Sequence, residues 1–146
     1  MGKKRIVKKS DEESLGAAEK KGGILPVSVK NKIEEAILFV ESTYNNTKVA
    51  LTDLKGNTLA WSSSGSLGFK GAKKGTPFVA AKVGELIGEK AQTIGVKIVH
   101  AVVKGVGSGR ESSIRGFTSK GISIVSIKDV TPIPHNGPKP PKPRRV

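Results

Sequence analysis

Six of the eight prolines in this chain fall between Pro132 and Pro143. Proline fixes φ and removes a backbone donor, so residues 129–146 can be neither helix nor central strand. Any packed fold must therefore lie in front of them, where Pro26 and Pro77 are the only other prolines. The proline segment predicts a stiff, extended, polyproline-like arm. Its charges are Lys139, Lys142, Arg144 and Arg145 against Asp129 alone. An extended cationic arm that cannot bury itself suits an anionic partner, and the backbone of a nucleic acid is the most direct one. A solubilising tail is the alternative reading.

The remaining charge is spread over the whole chain. Net charge is +14 over 146 residues, with eight Lys/Arg and four Asp/Glu in residues 1–30 and fourteen and seven in residues 31–128. Such a field attracts polyanions broadly. No stretch approaches the roughly 20 apolar residues of a membrane-spanning helix, so a membrane partner is not expected. The basic N-terminus lacks the apolar core of a signal peptide, and Ile6 stands where a myristoylation motif wants Ser or Thr. The absence of cysteine removes disulfides, thiolate zinc sites and Cys nucleophiles, and suits a reducing cytoplasm. Three units follow: a basic, flexible N-terminal arm over residues 1–30, an α/β domain over 31–128, and the proline-rich basic arm over 129–146.

Within the domain, an apolar run from Ala36 to Val40 predicts a strand continuing toward Tyr44. Asn45-Asn46 is a turn signal. Lys48–Asp53 alternates as a second strand, Leu54–Asn57 is a short turn, and Thr58–Ser62 is a third strand. Short turns between neighbours predict an antiparallel meander. A loop rich in Gly, Ser and Lys follows. Thr76-Pro77 is a helix start, Val79, Val83, Leu86, Ile87 and Ile94 share a helical face, and Gly95 is a stop. Val96–Val103 is a β-branched strand. A second helix with Ile114 and Phe117 inward ends at Gly121, and Ile122–Ile127 is the last strand. The order βββ-α-β-α-β predicts an α/β fold of ribonuclease-H-like topology. Its mixed five-stranded sheet is sandwiched by helices, and its last three strands are parallel.

Between strand and helix stands Lys104-Gly105-Val106-Gly107-Ser108-Gly109-Arg110. Glycines there let backbone amides converge at a helix N-terminus, and Lys104 and Arg110 flank the turn, which is good phosphate-binding chemistry. The rival reading is a dinucleotide fingerprint. Gly105 and Gly107 fit its first two positions, but Arg110 stands where its third small residue belongs. Lys70, Lys73 and Lys74 punctuate a loop too glycine-rich to hold itself rigid, as a backbone-hugging RNA contact would, or as a plain solvated loop. Asn45, Asn46 and Thr47 offer amides and a hydroxyl at a strand turn, and equally a simple hairpin. Arg115, in the second helix, joins the candidate RNA-binding cations.

Catalytic constellations are missing. His100 lies in an apolar strand and reads as a core or interface histidine, and His135 lies in the proline arm. Two separated histidines without cysteine predict no metal site, and no cofactor is expected. Four Phe, one Tyr and one Trp are too few for stacking platforms. RNA binding should run through phosphates, shape and 2′-hydroxyls. A nucleotide-dependent enzyme using Gly105–Gly109, or a ribonuclease-like hydrolase, would need a base, nucleophile or carboxylate cluster that the loop lacks. A non-enzyme with no small-molecule substrate is expected.

Taken in order, several motifs resemble one family, small-subunit ribosomal protein eleven in its bacterial-type form. They are Asn45-Asn46-Thr47, Thr52-Asp53-Leu54-Lys55-Gly56-Asn57, Trp61-Ser62-Ser63-Ser64-Gly65, Gly68-Phe69-Lys70-Gly71 and Thr76-Pro77-Phe78. Val103–Arg110, Asp129–Gly137 and Arg144-Arg145-Val146 complete the set. The resemblance covers about residues 34 to 146. It implies a structural rRNA-binding protein on the small-subunit platform that bridges rRNA helices and helps form the cleft for the Shine–Dalgarno duplex of mRNA. Implied partners are small-subunit rRNA, neighbouring platform proteins and initiation factor three. The implied location is the small ribosomal subunit, cytoplasmic or in an organelle. The implied contacts add His135, Asn136 and Gly137 at the root of the C-terminal arm to Lys139, Lys142, Arg144 and Arg145. Pro138 and Lys139 depart from the family's usual residues after His-Asn-Gly, and Pro143 interrupts its usual basic run.

Overall fold

The computed structural model describes residues 33–144. The expected N-terminal arm and Arg145 lie outside them. β1 (Glu35–Ser42), β2 (Thr47–Thr52) and β3 (Thr58–Ser63) form the meander. Then come a 3₁₀ turn (Gly71–Gly75), α1 (Pro77–Ile94), β4 (Ile98–Lys104), α2 (Gly109–Thr118) and β5 (Ser123–Asp129). The sheet order is β3-β2-β1-β4-β5, with β1, β4 and β5 parallel and β2 antiparallel to its neighbours. This is the expected five-stranded mixed sheet. β3, β4 and β5 share a direction as predicted, although β2 and β1 stand between β3 and β4.

Alternation decides the two faces. Ala36, Leu38 and Val40 of β1 point inward with Val49 and Leu51 of β2 and Val99, Ala101 and Val103 of β4, all at most 3% exposed. In register, Leu38 lies opposite Leu51 and Ala101, and Val40 opposite Val49 and Val103. Both helices cover this one face. Each crossover moves the same way along the sheet, β3 to β4 and then β4 to β5, so the right-handed rule places both on the same side. The sheet is thus layered by helices on one side, not sandwiched between them. Its other face leaves Phe39, Trp61 and Ile98 about two-fifths exposed.

α1 is bounded as expected. Pro77 opens it, and Gly95 closes it in the left-handed region at φ 98°. The Gly95 N–H donates to the Ala91 and Gln92 carbonyls, and the Val96 N–H reaches Ala91 at 3.0 Å, a Schellman-type end. Thr76 departs from expectation. Its hydroxyl donates back to the Lys73 carbonyl at 2.7 Å and leaves the helix uncapped by a side chain. Val79, Val83 and Ile87 are buried, as are Ala80, Gly84, Gly88 and Ala91. Those small residues let α2 approach closely. A Cβ on Gly84 would lie 2.1 Å from the Ser113 carbonyl oxygen, and one on Gly116 would lie 2.3 Å from that of Ala81. Phe117 fills the core from α2 with no exposure. Among the described residues, no helix is long and apolar enough to cross a membrane.

Candidate nucleic-acid interface

Parallel strands end together, so β1 and β4 deliver their loops to one end of the sheet. Helices α1 and α2 both begin at this end. Three loops therefore meet: the β1–β2 tip (Thr43–Asn46), the 3₁₀ turn, and the Gly105–Ser108 turn. Close backbone approaches bind them together. A Cβ on Gly75 would lie 2.1 Å from the Tyr44 carbonyl oxygen, one on Gly105 2.1 Å from that of Ser42, and one on Gly107 2.2 Å from that of Thr43. The Ser108 hydroxyl adds a 3.0 Å hydrogen bond to the Gly75 carbonyl. The structure thus brings together three candidate groups scattered over 66 positions of sequence, from Asn45 to Arg110.

Their roles differ from expectation at several residues. The Gly105–Gly109 turn is no open phosphate cradle. Its Gly105 N–H donates to the Thr131 hydroxyl at 3.1 Å, and its Gly107 N–H to the Ser42 carbonyl at 3.0 Å. Gly107 and Gly109 are buried against the β1–β2 tip and Ala80. Thr47 does not offer its hydroxyl outward. It is in phase with Val49 and Leu51, fully buried, and its hydroxyl faces that of Ser42 at 3.3 Å. The tip itself is closed by mutual bonds. The Thr43 hydroxyl donates to the Asn46 carbonyl at 3.2 Å and accepts from its N–H at 3.1 Å. Asn45 is exposed, and Asn46 is half-buried.

Arg110 is committed inside the protein. Its guanidinium donates to the Gly105 carbonyl at 2.9 Å and pairs with the Asp129 carboxylate. Asp129 also accepts from the Thr131 hydroxyl at 2.6 Å and its N–H at 2.9 Å. Chiefly the Thr131 hydroxyl, then its N–H and Arg110, push the Asp129 carboxyl down to about 2. This lock fixes the root of the C-terminal arm to the loop cluster. The sequence reading did not foresee the structural pairing of Asp129 with Thr131 and Arg110. The Asp-x-Thr spacing was its signal, since a carboxylate readily accepts from the residue two positions on.

The other cations stay outward. Lys70, Lys73, Lys104 and Ser108 are exposed, and Lys74 is half-buried. The lysines do not sit on a slack loop, because Gly71–Gly75 forms an ordered 3₁₀ turn. Among the described residues these four lysines make no ion pair. Other residues make such pairs: Arg110 with Asp129, Lys97 with Glu34, Lys120 with Glu89, Lys82 with Glu85, and Arg115 with Glu111 at 3.8 Å. His100 is not a core residue. It bridges the open sheet face, its Nε2 2.8 Å from Glu35 and its Nδ1 2.7 Å from Ser126. His135, Gly137, Lys139, Lys142 and Arg144 are exposed along the arm. The arm is not uniformly straight. Asn136 adopts φ 54°, and a Cβ on Gly137 would lie 2.9 Å from Pro134, so His-Asn-Gly bends it.

A one-sided α/β sheet that gathers unpaired lysines and the root of a basic arm at one pole has the build of a structural nucleic-acid-binding protein. Among the described residues, no group of three or more His, Asp or Glu is placed to hold a metal ion. The family model for ribosomal protein S11 matches residues 36–145. The chain belongs to the ribosomal protein S11 family and is, on that membership, a structural protein of the small ribosomal subunit that binds rRNA.

Proposed function

We propose that the protein grips rRNA of the small-subunit platform through the loop pole and reaches a second rRNA helix with its C-terminal arm. In this reading it helps form the Shine–Dalgarno cleft, beside neighbouring platform proteins and within reach of initiation factor three. The platform setting and these partners rest on the family resemblance. The observation that supports the RNA-facing surface is the convergence of Lys70, Lys73, Lys74 and Lys104 with the locked arm root. Lys139, Lys142, Arg144 and Arg145 extend the cationic track, with Asn45, Asn46 and Ser108 offering hydrogen bonds. Arg110 acts by holding the arm root, and Gly105, Gly107, Gly109 and Thr47 by shaping the pole. His135, Asn136 and Gly137 border it, while Arg115 stands apart in the last turn of α2.

The test is binding to a platform rRNA fragment across salt concentrations. Each neutralised phosphate contributes a log–log slope of about −0.7 to −0.9. Replacing Lys73 and Lys104 by Ala is expected to reduce the slope by roughly one unit per lysine while leaving the thermal melt unchanged. A parent protein with a flat salt response would overturn the reading, as would an unaltered slope in the double variant.

A further inference from the structure

We propose that Tyr44 is a pedestal on which an unpaired rRNA base stacks. The inference rests on the RNA-facing reading of the loop pole and names what that pole recognises besides phosphate. Tyr44 is 78% exposed in the β1–β2 tip. Its ring does nothing for the core. Its backbone, by contrast, is clamped from several sides. The Thr43–Asn46 bonds close the turn, Gly75 packs on the Tyr44 carbonyl, and Gly107 packs on the Thr43 carbonyl. An aromatic ring held proud on a fixed backbone loses little freedom on binding.

The neighbours decide the partner. Gly75 ends the 3₁₀ turn that carries Lys73 and Lys74, so the ring and these cations stand in fixed relation. Cations beside a proud aromatic suit a nucleotide, the lysines taking the phosphate and the ring the base. Phe39 and Trp61 are also partly exposed, but they lie on the open sheet face, where Glu41 sits between Lys48 and Lys104 in register. There Lys48 and Lys104 share an acidic neighbour, whereas Lys73 and Lys74 make no ion pair among the described residues. Phe78, 65% exposed at the start of α1, has the Lys82 ammonium 6.0 Å from its ring centroid, which leaves Tyr44 as the open ring of the tip. One pedestal is not a platform, so the contact places a single flipped-out base and tolerates its identity.

Stacking and charge separate experimentally. Stacking has no counterion to release, so its loss lowers affinity without altering the salt slope. Tyr44→Ala is expected to weaken binding to protein-free small-subunit rRNA roughly five- to 150-fold, with the parent's slope and melt. Tyr44→Phe keeps the affinity, and Tyr44→Leu does not. Leu54→Ala, an exposed apolar control at the far end of the sheet, binds like the parent. Tyr44 is the chain's only tyrosine. Fluorotyrosine labelling of the full chain therefore gives one fluorine NMR signal, which stacking shifts upfield whether or not any variant folds. Parent-like affinity in Tyr44→Ala or Tyr44→Leu, a changed slope in Tyr44→Ala, or an unmoved fluorine signal in the complex would each overturn the proposal. If the parent's own salt response were flat, the underlying RNA-facing reading would fail instead.

Discussion

Gly107→Ala asks what the Gly105–Gly109 turn is for. A Cβ at position 107 would lie 2.2 Å from the Thr43 carbonyl oxygen and 2.4 Å from the Ser42 Oγ. Ordinary carbon–oxygen contact begins near ~3.3 Å, so the β1–β2 tip must retreat by roughly 1 Å. The Ser42 hydroxyl can rotate away, but the Thr43 carbonyl is backbone and cannot. The Gly107 N–H also donates to the Ser42 carbonyl at 3.0 Å, so retreat strains that bond. Overpacking of this kind costs about 1–3 kcal/mol, and the backbone clash argues for the upper end. For a domain of this size that is a fall in melting temperature of roughly 10 °C. Circular dichroism melting measures it, with rRNA affinity taken well below the transition. If Gly107 were instead an open approach point for a phosphate, the melt would stay at the parent's temperature and only RNA binding would fall. That outcome would refute the packing argument.

Acid should loosen the arm root. The Asp129 carboxyl is held near about 2 in the folded protein against 3.8 ordinarily. The lock is therefore intact above pH 4 and is lost as pH falls through about 2, which Thr131 amide shifts would follow and which Asp129→Asn should abolish. Truncation after Ile133 removes an arm whose described residues are all exposed, and should leave the melt unchanged while weakening rRNA binding with a shallower salt slope. Full incorporation of the truncated protein into small subunits, in competition with the intact protein, would reduce the arm to a solubilising tail. Gly84→Ala, 2.1 Å from the Ser113 carbonyl oxygen across the helix pair, should destabilise by about 3 kcal/mol without a specific effect on RNA affinity. A parent-like melt would contradict it.

What was legible in the sequence follows the periodicities. Alternation through β1 and β2 marked the strands, and Thr76-Pro77 with Gly95 marked the ends of α1. The same alternation also held the inward place of Thr47, but its motif-like setting drew attention to the hydroxyl instead. His100 shows the limit of the argument. Its phase opposes Val99 and Ala101, which is plain in the sequence. Whether that second face is covered depends on where both crossovers pass, a property of strand order. The glycines were harder still. Gly84 and Gly116 carry no side chain to mark a face, and only the partner helix reveals why they are small. At Gly105 and Gly107 the sequence showed that something approaches closely. It could not show that the visitor is the chain's own β1–β2 tip. Arg110 looked free because its partner, Asp129, lies 19 positions away.

Strand direction explains why the proposed binding groups gather at one pole. β1, β4 and β5 run the same way, so their last residues, the starts of both helices and the departure of the arm fall at one end. Helix N-termini add positive potential there. Only α2 offsets it with an acidic residue in its first turn, Glu111, while α1 has none. At the opposite end, Lys97 and Lys120 are neutralised by Glu34 and Glu89. Charges more than about 8 Å from a phosphate are screened at physiological salt. The distant, paired lysines thus contribute little to affinity, however large the total charge. A net charge of +14 brings the chain to RNA, but the asymmetry sets how it lands. The same topology that stacks both helices on one face therefore also orients the docked protein. Under the proposed reading the loop pole, with Lys104 at the end of β4, faces rRNA, and Phe39 and Trp61, further along the half-exposed sheet face, lie outside that contact.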